Sequence, residues 1–343
     1  MKHDGAWPED EANPESGLGK RVLLSLALGI LVYAALAAWA DLDGLGESLK
    51  AIPPWAPLAA CALSFTNYVV RFPRWQRYLT LVGSQIRGWE SFRIYLAGLS
   101  LTVSPGKVGE AMKSWLLRDV DGTPLAKSAP IVLAERVTDL FGFIVLIAIS
   151  AGTTEHLGIA IFTALLASGI VIVAATETGA RLALRLASRL PIVGGRLDRL
   201  EETLTSARAL LSPRELPLAT ALAAIGWGLE CIGCWILVQS VLPSGVGAVP
   251  GLGLAEVTYA FALSAVAGAV VIIAPGGLGV TEGLLTKLLG TGYAAAGFGA
   301  QAARSTALSV TLVTRLCTLW FAMGIGLVAL ALQHRHRRAL RAD

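Results

Sequence analysis

The sequence predicts an all-α polytopic membrane protein with six full spans and two broken re-entrant hairpins arranged as an inverted repeat. Three observations predict it. Of 343 residues, 55% are hydrophobic and only 15% are charged, against roughly 25% charged in soluble domains. Several apolar runs reach about 19 residues, the length a helix needs to cross a hydrocarbon core of ~30 Å. Two further apolar runs are broken near their middle by Pro-Gly, at Pro105-Gly106 and Pro275-Gly276.

Residues 1–19 are acidic and polar, carry Pro8 and Pro14, and have no apolar face to bury, which predicts a disordered cytoplasmic tail. The first span, 22–40, follows Lys20 and Arg21. Ala38-Trp39-Ala40 resembles a signal-peptidase site, but the long acidic leader and the apolar core fit a retained span better. Further spans are expected at 52–70, 128–151, 157–175, 216–242 and 305–332. The broken regions are 92–117 and 254–289. In the first, the pieces 91–104 and 106–117 would each extend only ~18 to 21 Å, too short to cross, so they read as half-helices of a re-entrant hairpin. Charge placement does not separate dipping from crossing, and 254–274 is long enough to span.

Arg71, Arg74, Arg77 and Arg87 read as a basic loop after the second span. Seven arginines, from Arg181 to Arg214, follow the fourth span, and Arg335, Arg337, Arg338 and Arg341 lie in a basic tail, 333–343. The intervening loops are nearly free of Lys and Arg. The positive-inside rule therefore puts both termini in the cytoplasm of a bacterial-type inner membrane. The transmembrane domain is expected over 20–332, as inverted repeats at 20–151 and 157–332. A cytoplasmic amphipathic connector at 177–214 carries Arg181, Arg185 and Arg189 beside leucines and would rest among anionic headgroups.

The two Pro-Gly tips correspond. Pro105, Gly106 and Gly109 repeat at the offsets of Pro275, Gly276 and Gly279, with Gly277 beside them. Pro-Gly merely breaking two helices would suffice for one occurrence. A pair in matching positions of two inverted halves points to unwound helix ends lining a polar cavity, where helix N-termini stabilise an anion such as a lipid phosphate.

Ionisable side chains at bilayer depth are costly and need a partner, a wet cavity or a function. Lys107, Glu110 and Lys113 follow the first tip and form either a phosphate seat or, for Lys107 and Glu110, a self-neutralising pair. Glu135 and Asp139 share a face of the third span, with Arg136 able to reach Asp139. They serve proton coupling, cationic headgroup binding or a structural network. Glu230 and Arg315 both fall near the midplane, and their pairing is the structural expectation. If Arg315 instead faces the cleft between the hairpins, its planar fork suits a lipid phosphate. Glu282 and Lys287 echo the first hairpin's charges at different offsets.

The four histidines, His3, His156, His334 and His336, lie in tails or loop edges, so no haem or metal site and no cofactor is expected. The cysteines sit in apolar runs. Cys231 and Cys234 form a C-x-x-C inside a hydrophobic helix, where packing is the expected role rather than redox chemistry. The net charge of +4 reflects topology, and no nucleic-acid partner is implied.

The run Ser104 to Leu117 (SPGKVGEAMKSWLL), then Glu135-Arg136-Val137-Thr138-Asp139, then Pro275-Gly276-Gly277-Leu278-Gly279-Val280-Thr281-Glu282, resembles the lysylphosphatidylglycerol synthase transmembrane-region family, also called flippase-like. The resemblance covers residues from about 20 to 332. It implies a membrane domain that handles or translocates charged lipids, alone or fused to a cytosolic aminoacyl-transferase. Only eleven residues follow Leu332, so the stand-alone form without that transferase domain is expected, and with it no enzyme activity. The expected function is translocation of an anionic or zwitterionic phospholipid, or another amphiphile, through a polar cleft between the hairpins. The alternatives are a membrane subunit that partners a separate lipid-modifying synthase, or a transferase in lipid-linked sugar or aminoacyl-lipid metabolism, for which Asp119-Val120-Asp121 is a short D-x-D.

Overall fold

The computed structural model describes residues 18–40, 42–103, 108–151, 158, 207–243, 249–270 and 275–342. Every regular element among them is helical. The expected span 157–175 apart from Gly158, residues 177–206 of the connector, and Pro105, Gly106 and Lys107 lie outside the described residues. Glu110 lies in a described helix, but its side chain lies outside the description.

Helix α1 (Leu18–Ala40) and the short α2 (Leu42–Ala51) precede α3 (Trp55–Leu81). α3 does not stop at residue 70 as expected. Its 27 residues reach ~40 Å, beyond a ~30 Å hydrocarbon core. Arg71 and Arg74 are thus helical and buried rather than loop residues. Their charges are met inside the bundle, so the chain has no need to break there. Pro73 lies within this helix, where it removes one ladder hydrogen bond that neighbouring helices can compensate.

The first broken region forms α4 (Gly88–Ala97), a 3-10 turn (Gly98–Leu101) and α5 (Val108–Asp121). Helix α6 (Leu125–Ala151) follows. α7 (Leu216–Ser240) starts with Pro217 in its first turn, where a missing N–H costs nothing. The second broken region forms α8 (Leu254–Val270), a 3-10 turn (Pro275–Gly277) and α9 (Val280–Ala295). Last come α10 (Ala300–Arg315), a π-helical turn (Leu316–Trp320) and α11 (Phe321–Ala342), which together form one rod.

Among the described residues, two helices are long and apolar enough to cross a membrane by length and composition, Leu216–Ser240 and Ala300–Arg335. Leu23, Leu24, Ile30 and Leu31 on α1, Ile149 on α6, and Leu218 and Ile225 on α7 all face outward. Apolar residues exposed along several helices make a surface suited to lipid rather than water.

α7 packs most extensively on α3 and then on α6. Small residues allow the approach. A Cβ at Gly226 would overlap Asn67 and Arg71 of α3, one at Gly233 would press on Ala60, and one at Gly142 of α6 would press on the backbone of Ala223. The two broken regions pack reciprocally. α4 and its 3-10 turn lie against α11, near the end of the chain, while α8 lies against α6, in the first half. Two large apolar cores result. One gathers α7, α8, α9 and α10 around Tyr293 and Leu237, and the other gathers α3, α4, α5 and α11 around Trp75 and Ile94.

Candidate functional site

Where the two broken regions approach each other, Val103, Leu278, Leu319 and Met323 form a small buried cluster. Val103 ends the described first part of the first broken region, and Leu278 belongs to the tip of the second. Gly276 faces Val103 at a separation that would put an added Cβ 3.5 Å from Val103 Cα. Gly276, Gly277 and Gly279 have φ of 62°, 71° and 87°, a region that residues with a Cβ rarely adopt. The glycines expected at the tip are therefore required by its turn.

Arg315 closes this tip. Its Nε donates to Glu282 Oε1 at 2.7 Å, and its Nη2 donates to the Gly276 carbonyl at 2.8 Å. Glu282 accepts the Gly279 N–H on its other oxygen, Oε2, at 2.6 Å. That is one arm of a capping box at the start of α9. The π turn begins at the next residue, Leu316, and π turns are over-represented at functional positions. Trp320, at its far end, donates to Tyr33 of α1 at 2.7 Å.

The expected Glu230–Arg315 pair does not form. Arg315 bonds to Glu282 and Gly276, while Glu230 accepts from Asn67 Nδ2 at 2.6 Å. Counting along the chain places Glu230 and Glu282 equally well as partners of Arg315. Glu282 lies in the first turn of α9, and only the folded tip turns it toward α10.

A second group of charges is buried among α3, α5 and α6. Arg71 Nη2 donates to both oxygens of Asp139, at 2.8 and 2.6 Å. Arg74 Nη1 reaches Asp139 Oδ1 at 2.9 Å and Thr138 Oγ1 at 2.8 Å. Arg136 adds a longer contact to Asp139 at 3.5 Å, the i,i+3 pair expected from spacing. Lys113 donates to Glu135 Oε2 at 2.8 Å. Its ammonium lies 5.2 Å from the Trp75 ring centre and 4.7 Å from that of Tyr95, within cation–π range. Gly98 makes room for this arrangement, because a Cβ there would overlap the Lys113 stem.

Lys113 therefore faces a carboxylate and two rings. Glu135 and Asp139 share a buried face as expected, each served by cations from other helices. Arg71, Arg74, Asn67, Trp75, Tyr95 and Trp227, whose ring lies 4.9 Å from the Arg71 guanidinium carbon, were not foreseen at the site. Their one sequence signal was arginine recurring at i,i+3 in an otherwise apolar helix. Among the described residues, Arg74 Nε and Nη2, Ser100 Oγ and Glu135 Oε1 are buried without a hydrogen-bond partner. Lys287 is exposed on α9.

Asp121 of the D-x-D accepts from Ser84 Oγ at 2.5 Å and from the Thr123 backbone N–H at 2.9 Å. It closes the turn after α5. Cys231 and Cys234 are buried in the α7 core as free thiols, with Thr314 Oγ1 3.7 Å from Cys234 Sγ.

Outside the helical core, Arg77 near the end of α3 pairs with Glu215, which precedes α7, through contacts of 2.9 and 2.7 Å. The guanidinium hydrogen bonds hold the Glu215 carboxyl below its usual range.

The sequence model of the lysylphosphatidylglycerol synthase transmembrane region matches residues 23–326. A protein of Methanothermobacter thermautotrophicus described as a UPF0104 membrane protein is similar, 22% identical over 331 residues, which is 89% of this chain and 93% of that one.

Proposed function

This chain belongs to the lysylphosphatidylglycerol synthase transmembrane-region family, and from that premise we propose that it carries a lipid with a charged headgroup across the bilayer, the headgroup passing between the two Pro-Gly tips. The acyl tails stay in the hydrocarbon throughout. The observation that carries this reading is the approach of Val103, at the end of the described first part of the first broken region, to Gly276 and Leu278 of the second tip, directly beside Arg315.

In this reading the broken regions are re-entrant. α4 has 10 residues and α5 has 14, so they extend only ~15 and ~21 Å against a ~30 Å core. The reciprocal packing of α4 on α11 and α8 on α6 is what an inverted repeat would produce, and six spans complete it. The positive-inside rule then sets both termini in the cytoplasm of an inner membrane. Buried polar atoms without protein partners, such as Ser100 Oγ and Glu135 Oε1, suit a path along which a headgroup or water supplies the missing bonds. The cargo of this reading is an anionic or zwitterionic amphiphile. The protein acts as a carrier rather than a catalyst.

The test uses the purified full chain in vesicles containing fluorescent phospholipid, with a membrane-impermeant quencher outside. Headgroup movement between leaflets is expected, and Arg315→Ala and Lys107→Ala should abolish it. Lipid product formed from a soluble donor, with no movement of any lipid tried, would replace this reading with that of a transferase.

A further inference from the structure

We infer that Glu282 is an internal stand-in for the anion of the cargo, holding Arg315 until a phosphate group displaces it. This rests on the proposed passage of a headgroup between the tips and adds how the seat is kept when empty.

The geometry of the pair carries the inference. The two oxygens of Glu282 have separate tasks, since Oε2 caps the Gly279 N–H while Oε1 alone meets Arg315 Nε. Losing Arg315 would therefore leave the start of α9 capped. Arg315 is likewise held twice, and its bond to the Gly276 carbonyl keeps it at the tip when Glu282 lets go. An exchange at Nε thus needs no unfolding on either side.

The pair is also asymmetric in exposure. The Glu282 side chain is fully enclosed, whereas that of Arg315 is 11% exposed. An incoming group reaches the cation first. Two of the five guanidinium N–H donors are used by these bonds, and the Tyr33 hydroxyl stands beside the same guanidinium. A phosphate oxygen can engage another before the carboxylate leaves. Gly279 carries no side chain, and a Cβ added there would meet only Val32, at 3.9 Å.

A carboxylate and a phosphodiester each offer a guanidinium two oxygens and a single negative charge, so they compete for the same fork. Desolvating Arg315 without any anion would be costly. Glu282 removes that cost in the empty state, at the price of weaker cargo binding. The ligand class is a singly charged phosphodiester headgroup or free phosphate.

The experiment measures binding of short-chain phosphatidylglycerol, and separately of inorganic phosphate, to the detergent-solubilised full chain by tryptophan fluorescence. Glu282→Gln keeps an oxygen for the Gly279 N–H and removes the competing charge. It should tighten binding by about tenfold, the scale of one charge-assisted hydrogen bond gained. Arg315→Gln should lose binding. Glu282→Ala is the second variant, expected to tighten binding too, and either one that elutes as a folded species carries the test. Whichever probe is tightened more identifies the source of the anion. A purely structural pair would weaken alike from both sides, so Glu282 variants that bind no tighter than the parent, for both probes, overturn the inference. Tightening without lipid movement in vesicles would instead remove the proposed carrier function and leave the exchange standing.

Discussion

Arg71 and Asp139 join α3 to α6 through a two-oxygen contact of 2.8 and 2.6 Å, and both side chains are almost fully enclosed. Arg74 shares the same carboxylate, with its side chain 1% exposed. Two guanidinium groups thus depend on one aspartate, with Arg136 at the edge. In an interior of low polarity, each cation is tolerable only while that carboxylate stays charged. The arrangement fixes the rotation of α3 against α6, and with it the position of Trp75, whose ring borders Lys113.

Replacing Asp139 by Asn should therefore destabilise the protein severely, by about 3 to 5 kcal/mol, because two enclosed cations lose their counter-charge. Thermal unfolding in detergent measures it. The Arg71→Met, Asp139→Asn double variant should lose less than the sum of the two single variants, as expected for residues in direct contact.

Lys113→Met keeps an apolar stem across Gly98 but removes the ammonium from between Trp75, Tyr95 and Glu135. Stability should fall by about 3 kcal/mol or more, the cost of an uncompensated buried carboxylate. Adding Glu135→Gln to that variant should restore part of the loss. A lower melting temperature for the double variant than for Lys113→Met alone would contradict the pairing.

Two glycines on the last rod give a steric prediction. A Cβ at Gly326 would overlap the backbone of Leu99 and Ser100, while one at Gly324 would meet nothing within 4 Å. Gly326→Ala should cost about 1 to 3 kcal/mol through forced separation of α11 from the 3-10 turn at Gly98–Leu101. Gly324→Ala should be neutral or slightly stabilising, since alanine is the better helix former. Melting temperatures of the two variants side by side decide it.

The Arg77 and Glu215 pair sets a pH dependence. The folded carboxyl titrates lower than the unfolded one, so the pair's contribution is complete above the unfolded value of ~4.3. It fades as pH falls through the depressed folded value, where the native state also takes up the proton. The melting temperature of the parent chain should exceed that of Glu215→Gln by a constant margin near neutral pH. That margin should close in acid. Arg77 is half exposed, with 51% of its side chain accessible, so raised salt should narrow the margin as well.

Hydrophobic run length was enough to place α1, α6, α7 and the final rod, because a helix in a bilayer must be both long and apolar. The same reasoning misplaced the end of α3. Arg71 and Arg74 look like a solvated loop when counted along the chain, and only the carboxylate of α6, 65 or more positions away, makes them interior residues. The glycines of the second tip were legible because Pro275-Gly276 constrains the backbone locally, and Gly276, Gly277 and Gly279 all take positive φ. The partner of Arg315 was not, since Glu230 and Glu282 are both acids at plausible depth and the choice between them depends on how the second tip folds. The aromatic surroundings of Lys113 were hidden for a similar reason. Trp75 and Tyr95 come from separate helices and converge only through packing.

The π turn at Leu316–Trp320 divides a rod whose upper part, α10, lies against α9 and whose lower part, α11, lies against α4. Each residue added to or removed from a helix turns everything beyond it by about 100°. The widened turn thus sets the angular phase between the two broken regions, much as a keyed joint sets two gears on one shaft. Deleting Thr318 would restore regular winding and swing Gly326 away from Ser100, so the torsional register of this single rod governs whether both broken regions can be seated at the same time.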